Sequence, residues 1–144
     1  MEFIKAYLDY MVIGVLGAMS FLALWFVIER LLYYRRLDLS QFTHADELQV
    51  ALTRHLTSIS SIAANAPYIG LLGTVFGIML TFYDMGQSGD INTRSIMVGL
   101  ALALKATAMG LLVAIPAIMF YNGLLRRVEV LTAQWNRDCQ REAL

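Results

Sequence analysis

Three side chains in this sequence carry chemistry where the residues around them carry almost none. Lys105 sits near the middle of an apolar run, Ile96 to Tyr121, which reads IMVGLALALKATAMGLLVAIPAIMFY. Thr107 follows it in the same run, and Thr74 lies in another, Ile62 to Tyr83. A helix rises about 1.5 Å per residue and a bilayer core is about 30 Å thick, so each run is long enough to cross one. Placing a lysine at that depth costs on the order of 2.5–3.5 kcal/mol on insertion scales. Such a charge normally faces a cavity or a partner, which makes Lys105 a candidate functional group. Glu29 and Asp84 fall near opposite membrane interfaces, so the sequence offers Lys105 no acid at its own depth. Its counter-charge is expected on a partner or a neighbouring subunit; otherwise the lysine is neutral or snorkels outward.

The two threonines fall at a common level. Thr74 is about nine residues from the outer end of its span and Thr107 about eleven from the outer end of its own. Two hydroxyls at one depth can form a polar belt where helices meet. The alternative is that each bonds the carbonyl one turn earlier on its own helix. Lys105 lies roughly 160° round the helix from Thr107, so the two do not share a face.

Other chemistries are excluded. His44, His55 and Cys139 are scattered through polar stretches and do not make a metal set. No nucleophile–base pair lies in the apolar runs, so an enzyme is not expected, and no cofactor motif is present. A single cysteine allows no intrachain disulfide, and a formal net charge of zero leaves no nucleic-acid footprint.

The elements that must position these groups follow from composition. Of the 144 residues, 58% are hydrophobic and 15% charged, too few polar groups to cover a soluble domain of this length. An all-α membrane protein with three spans is expected, at about residues 10–28, 62–83 and 96–121. The start of the chain is not basic, and the run after it has spanning length, so the first span reads as a retained helix and not a signal peptide. A polar segment, 29–61, contains a short amphipathic helix with Leu48, Ala51, Leu52 and Leu56 at helical spacing. A tail, 122–144, extends the third helix out of the bilayer. The link Asp84 to Ser95 carries the turn-formers Gly86, Gly89, Asp90 and Asn92. The whole, 1–144, reads as one domain without internal repeats.

Small residues stripe both polar-bearing spans. Gly70, Gly73 and Gly77 share a face of the second, with Gly73 and Gly77 forming a G-x-x-x-G pair; Gly99, Ala103, Gly110 and Ala114 mark the third. In lipid such faces let backbones approach closely and drive helix packing, within a subunit or around a ring. Pro67 in the first turns of the second span and Pro116 in the third are candidate bends. Basic residues concentrate between spans one and two and after span three, with only Lys5 and Arg94 on the other side. The positive-inside rule then puts the N-terminus outside and the C-terminus in the cytoplasm.

Two blocks of sequence carry a resemblance. The stretch from Ala66 to Gly77, APYIGLLGTVFG, resembles the second-helix signature of the MotA/TolQ/ExbB proton-channel family. The stretch from Ala103 to Ala117, ALKATAMGLLVAIPA, followed by Tyr121-Asn122, resembles the third-helix signature. The pattern is similar above all to the ExbB branch. The resemblance implies a homopentamer in the bacterial inner membrane, with a dimer of an ExbD-like single-span subunit in its pore. It further implies that the proton-motive force drives a TonB-like protein, which opens outer-membrane receptors for siderophores and vitamin B12. Thr74 and Thr107 would then be pore-facing hydroxyls on the proton pathway, beside a protonatable aspartate of the partner. A TolQ-type subunit of the Tol-Pal envelope system, or a scaffold that passes no ions, are the alternative readings. The chain departs from the family pattern at Leu102, where a glutamate is common, and at Lys105, usually apolar. Its segment between spans one and two is also short for the family.

Overall fold

A computed structural model describes residues 2–144. It contains three long helices and a short one: α1 (Glu2–Arg36), α2 (Ala45–Leu52), α3 (Leu56–Ser88) and α4 (Thr93–Ala143). α1, α3 and α4 are each long and apolar enough to cross a membrane. Helix is the form such runs must take, since lipid offers no partner to an unpaired backbone group. The chain is therefore a helical membrane protein of three candidate spans.

Each helix outruns its apolar core. α3 continues five residues past Tyr83 to Ser88, so the loop before α4 shrinks from the expected Asp84–Ser95 to residues 89–92. Gly89 closes α3 in the left-handed region, at φ 68°, with its N–H on the Met85 carbonyl. Asn92 opens α4, its side chain accepting from the Arg94 N–H at 3.0 Å. These local caps, and not the hydropathy profile, decide where the helices stop. Because α3 already starts at Leu56, Pro67 stands in its interior and not in its first turns. Pro116 is likewise interior to α4, and both helices run on through their prolines.

The core divides into two parts. Along the spans, Val12 and Leu16 of α1 meet Ala66 of α3 and Ala106 and Ala114 of α4. At the other part α2 lies across the C-terminal end of α1, the start of α3 and the tail of α4. There Leu48, Leu52 and Ile59 are fully buried among Val27, Leu124 and Leu131. The expected amphipathic face of α2 thus points inward, and the tail that repeats Leu124, Val128 and Leu131 at helical spacing is its floor.

Arg30 and Tyr34 of α1 hold α2 in place. The last carbonyls of a helix lack partners within it. The Arg30 guanidinium donates to the Ala51 carbonyl at 2.8 Å, and the Tyr34 hydroxyl donates to the Leu52 carbonyl. Arg30 is only 2% exposed; its Nε and Nη2 donate to the two Glu29 carboxylate oxygens at 2.6 Å, and it stacks 4.3 Å over the Tyr33 ring. The hydrogen bonds from Arg30 hold the Glu29 carboxyl below its usual range, against the opposing effect of partial burial. Phe26 stacks on His55, the left-handed residue that turns the chain from α2 into α3. Arg30→Met removes a charge-assisted bond worth about 1.5–3 kcal/mol. We expect faster amide exchange across Ala45–Leu52 in that variant than in the spans; equal exchange in both regions would show that Arg30 does not hold α2.

Candidate functional site

The site is built where α3 and α4 cross. Gly70 and Gly110 touch backbone to backbone. A Cβ added to Gly70 would stand 2.6 Å from the Ala106 carbonyl oxygen and 3.1 Å from the Gly110 Cα. One added to Gly110 would meet the Ala66 carbonyl oxygen at 2.7 Å. The contact continues outward as Gly73 against Ala106, Gly77 against Ala103, and Gly99 against Thr81. Ala103 and Ala114, at 5% and 1% exposed, complete the face.

This approach brings the two threonines together. The hydroxyl oxygens of Thr74 and Thr107 lie 2.5 Å apart. The Thr74 hydroxyl is also 2.9 Å from the Ala103 carbonyl and 3.3 Å from that of Gly70. Ala103 is one turn before Thr107, so Thr74 reaches the very carbonyl that Thr107 would otherwise take on its own helix. Thr74 is buried and Thr107 is half-buried.

A hydroxyl has one hydrogen and two lone pairs, and this sets what the pair can do. With the Thr74 hydrogen on the Ala103 carbonyl, Thr107 donates to Thr74 and turns lone pairs outward. With the Thr74 hydrogen on Thr107, the Thr107 hydrogen points outward instead. Rotating two O–H bonds thus converts the outward side of Thr107 from acceptor to donor. Such a group can serve a carboxyl in both of its protonation states.

Lys105 stands apart from this pair, as its angle on α4 requires. Its ammonium lies 3.9 Å from the carboxylate of Asp9 on α1, and both side chains are about half exposed, at 48% and 42%. No acid was expected at the depth of Lys105, yet the structure brings Asp9 of the same chain beside it. The first span reads as starting at Tyr10, which leaves Asp9 outside it; α1 in fact begins at Glu2 and runs through Asp9 as helix. Asp9 shares a face with buried Val12 and Leu16, at helical spacing, and that pattern was the available signal. A second pair that sequence reasoning missed, Lys5 with Asp84 at 2.8 Å, ties the start of α1 to the last turns of α3.

Three apolar helices, with a glycine-lined crossing and a hydroxyl pair within it, define a helical membrane protein of candidate multi-pass topology. Residues 35–137 match the family model described as the MotA/TolQ/ExbB proton channel family. The chain is 55% identical to a biopolymer transport protein ExbB of Helicobacter pylori over 135 residues, 94% of this chain and 93% of that protein. It is 52% identical to an ExbB of Aquifex aeolicus over 135 residues, 94% and 91% of the two chains. An ExbB of Neisseria gonorrhoeae is 47% identical over 77 residues, which are 54% of this chain and 35% of that protein. The chain belongs to the MotA/TolQ/ExbB proton channel family.

The hydroxyl pair predicts energetic coupling. Thr74→Val and Thr107→Val, alone and together, should give a non-additive loss of stability on the order of 0.6–1.7 kcal/mol, the range seen for hydrogen bonds between membrane helices. Unfolding in mixed detergent micelles measures it. Strictly additive losses would mean that the two hydroxyls do not bond each other.

Proposed function

We propose that this chain is the proton-channel subunit of an ExbB–ExbD–TonB-type energy transducer in a bacterial inner membrane. Copies of the chain, five in number by family resemblance, form a ring with α3 and α4 facing the pore. Two copies of an ExbD-like single-span subunit occupy that pore. The proton-motive force then drives a TonB-like protein, which powers outer-membrane uptake of siderophores and vitamin B12. The N-terminus lies on the periplasmic side; α2 and the tail of α4 lie in the cytoplasm.

The observation that carries this reading is the Thr74–Thr107 pair. It sits on the small-residue faces of two spans, with Thr74 buried and Thr107 half-buried. A carboxylate on the partner helix, facing Thr107, would gain and lose its proton beside a group able to accept or donate. In a medium of low dielectric that match lowers the cost of each protonation state. The family and the names of the full-length relatives support the same reading. The basic residues around α2 and on the tail of α4 support the orientation, by the positive-inside rule.

Three measurements test it. Purified in mild detergent with its single-span partner, the chain should give a closed ring by native mass spectrometry; a stable monomer would contradict the pore. Mass spectrometry of the bound partner separates an ExbD from a Tol-system subunit. In cells, Thr107→Val should insert normally and impair TonB-dependent uptake. Uptake at the wild-type rate in Thr74→Val/Thr107→Val would overturn the role given to the pair.

A further inference from the structure

A polar feature at the end remote from α2 is not used by the hydroxyl pair. The first turns of α1, the last turns of α3 and the first turns of α4 enclose a cleft of about 550 Å³. One water's share of the liquid is about 30 Å³, so the cleft has room for a connected file of waters. Lys5, Asp9 and Arg94 line it together with the hydroxyl residues Thr81 and Ser95. Its deepest α3 residue is Gly77, and its deepest α4 residue is Ala103.

That depth matters. Gly77 is about 4.5 Å along α3 from Thr74, at about 1.5 Å per residue. The carbonyl of Ala103 is the one that faces the Thr74 hydroxyl at 2.9 Å. The cleft therefore stops about one helical turn short of the hydroxyl pair. On the way in, Thr81 donates to the Gly77 carbonyl at 2.9 Å.

Asp9 is the α1 lining residue furthest from the N-terminus, and so the acid nearest the inner end. The charged groups around it are few. Glu2 and Lys5 share its helix, Arg94 lies across the cleft on α4, and Asp84 of α3 holds Lys5 at 2.8 Å. Lys105 of α4 stands 3.9 Å from Asp9, beyond hydrogen-bond length. The carboxylate thus has a counter-charge in a medium of low dielectric, yet keeps its lone pairs free.

We propose that this cleft is a water-filled proton entrance within one subunit, and that Asp9 takes up and releases the proton there with Lys105 as its counter-charge. The inference rests on the proton-channel reading above. A hydronium ion in the cleft gives its proton to an Asp9 oxygen, leaving water and a neutral carboxyl. The carboxyl then returns the proton to a water on the Gly77–Ala103 side. Lys105 acts as a positioning residue.

Two readouts on the full chain with its single-span partner test this. In a Cys139→Ser background, Leu102→Cys faces the cleft, whereas Leu112→Cys is on an exposed apolar stretch of α4. A charged, membrane-impermeant methanethiosulfonate added outside should modify the first and spare the second. In vesicles with an imposed proton gradient, Asp9→Asn should cut proton flux on the order of tenfold or more, as loss of a positioned proton carrier does. Asp9→Glu should restore flux; Lys105→Met should lower it, and Lys105→Arg should recover it. An unreactive Leu102→Cys, or wild-type flux in Asp9→Asn, overturns the entrance while leaving the channel reading intact. A wild-type complex that passes no protons overturns the channel reading itself. If Asp9→Asn does not insert, the Leu102→Cys reactivity, measured with Asp9 in place, decides.

Discussion

The contact between Gly70 and Gly110 is the constraint on which the rest of the structure depends. Inside a bilayer, helices gain nothing by hiding apolar surface from one another, since lipid tails are as apolar as leucine. What remains is close packing and the hydrogen bonds that close packing permits. Two glycines in register let α3 and α4 touch at the backbone, and either Cβ would fall within 2.7 Å of a carbonyl oxygen across the interface. One turn along α3 from Gly70, the same approach holds Thr74 against the Ala103 carbonyl and the Thr107 hydroxyl. The chemistry of the site is a consequence of having no side chain at the crossing.

The α2 end solves a different problem by different means. There the helices leave their apolar cores, and large side chains replace small ones: Leu48, Leu52, Ile59 and Trp135 in place of glycine and alanine. Burial of that area in contact with water is directly favourable. Polar groups set the geometry: Arg30 and Tyr34 satisfy the end of α2, and the Trp135 indole N–H donates to the Phe42 carbonyl at 3.1 Å. Because hydrogen bonds from Arg30 lower the pKa of Glu29, its contribution is present above the ordinary carboxylate range. It is lost as pH falls through the lowered value. The glycine crossing and the α2 end are thus held by separable forces.

Much of this was legible from residue types and spacing. The three spans follow from apolar length, and the α3–α4 interface from glycines at steps of three and four. The inward face of α2 follows from Leu48 and Leu52, whereas Leu56, expected on the same helix, opens α3 beyond the left-handed turn at His55. Hydropathy was least informative where the helix continues into polar sequence, as in α1 before Tyr10 and α3 after Tyr83. Helix ends there depend on Gly89 and Asn92 as caps, and such local chemistry does not register in a window average. The same blind spot hid Asp9 as the partner of Lys105. Axial offset between neighbouring helices is a property of packing, and it alone puts a residue at the edge of one span beside one deep in another. Arg30 was visible as a positive charge, but its burial was not, because its acceptor is a backbone carbonyl on α2.

The central claim is that the glycine crossing creates the proton-handling hydroxyl pair. Proton flux through the chain reconstituted with its single-span partner tests it most directly, comparing Gly110→Ala with Gly123→Ala. A methyl at Gly110 meets the Ala66 carbonyl, whereas one at Gly123 meets nothing within 4 Å. The account predicts wild-type flux for Gly123→Ala and a loss of about tenfold or more for Gly110→Ala, equivalent to about 1.4 kcal/mol on the barrier. Equal flux in the two variants would contradict it.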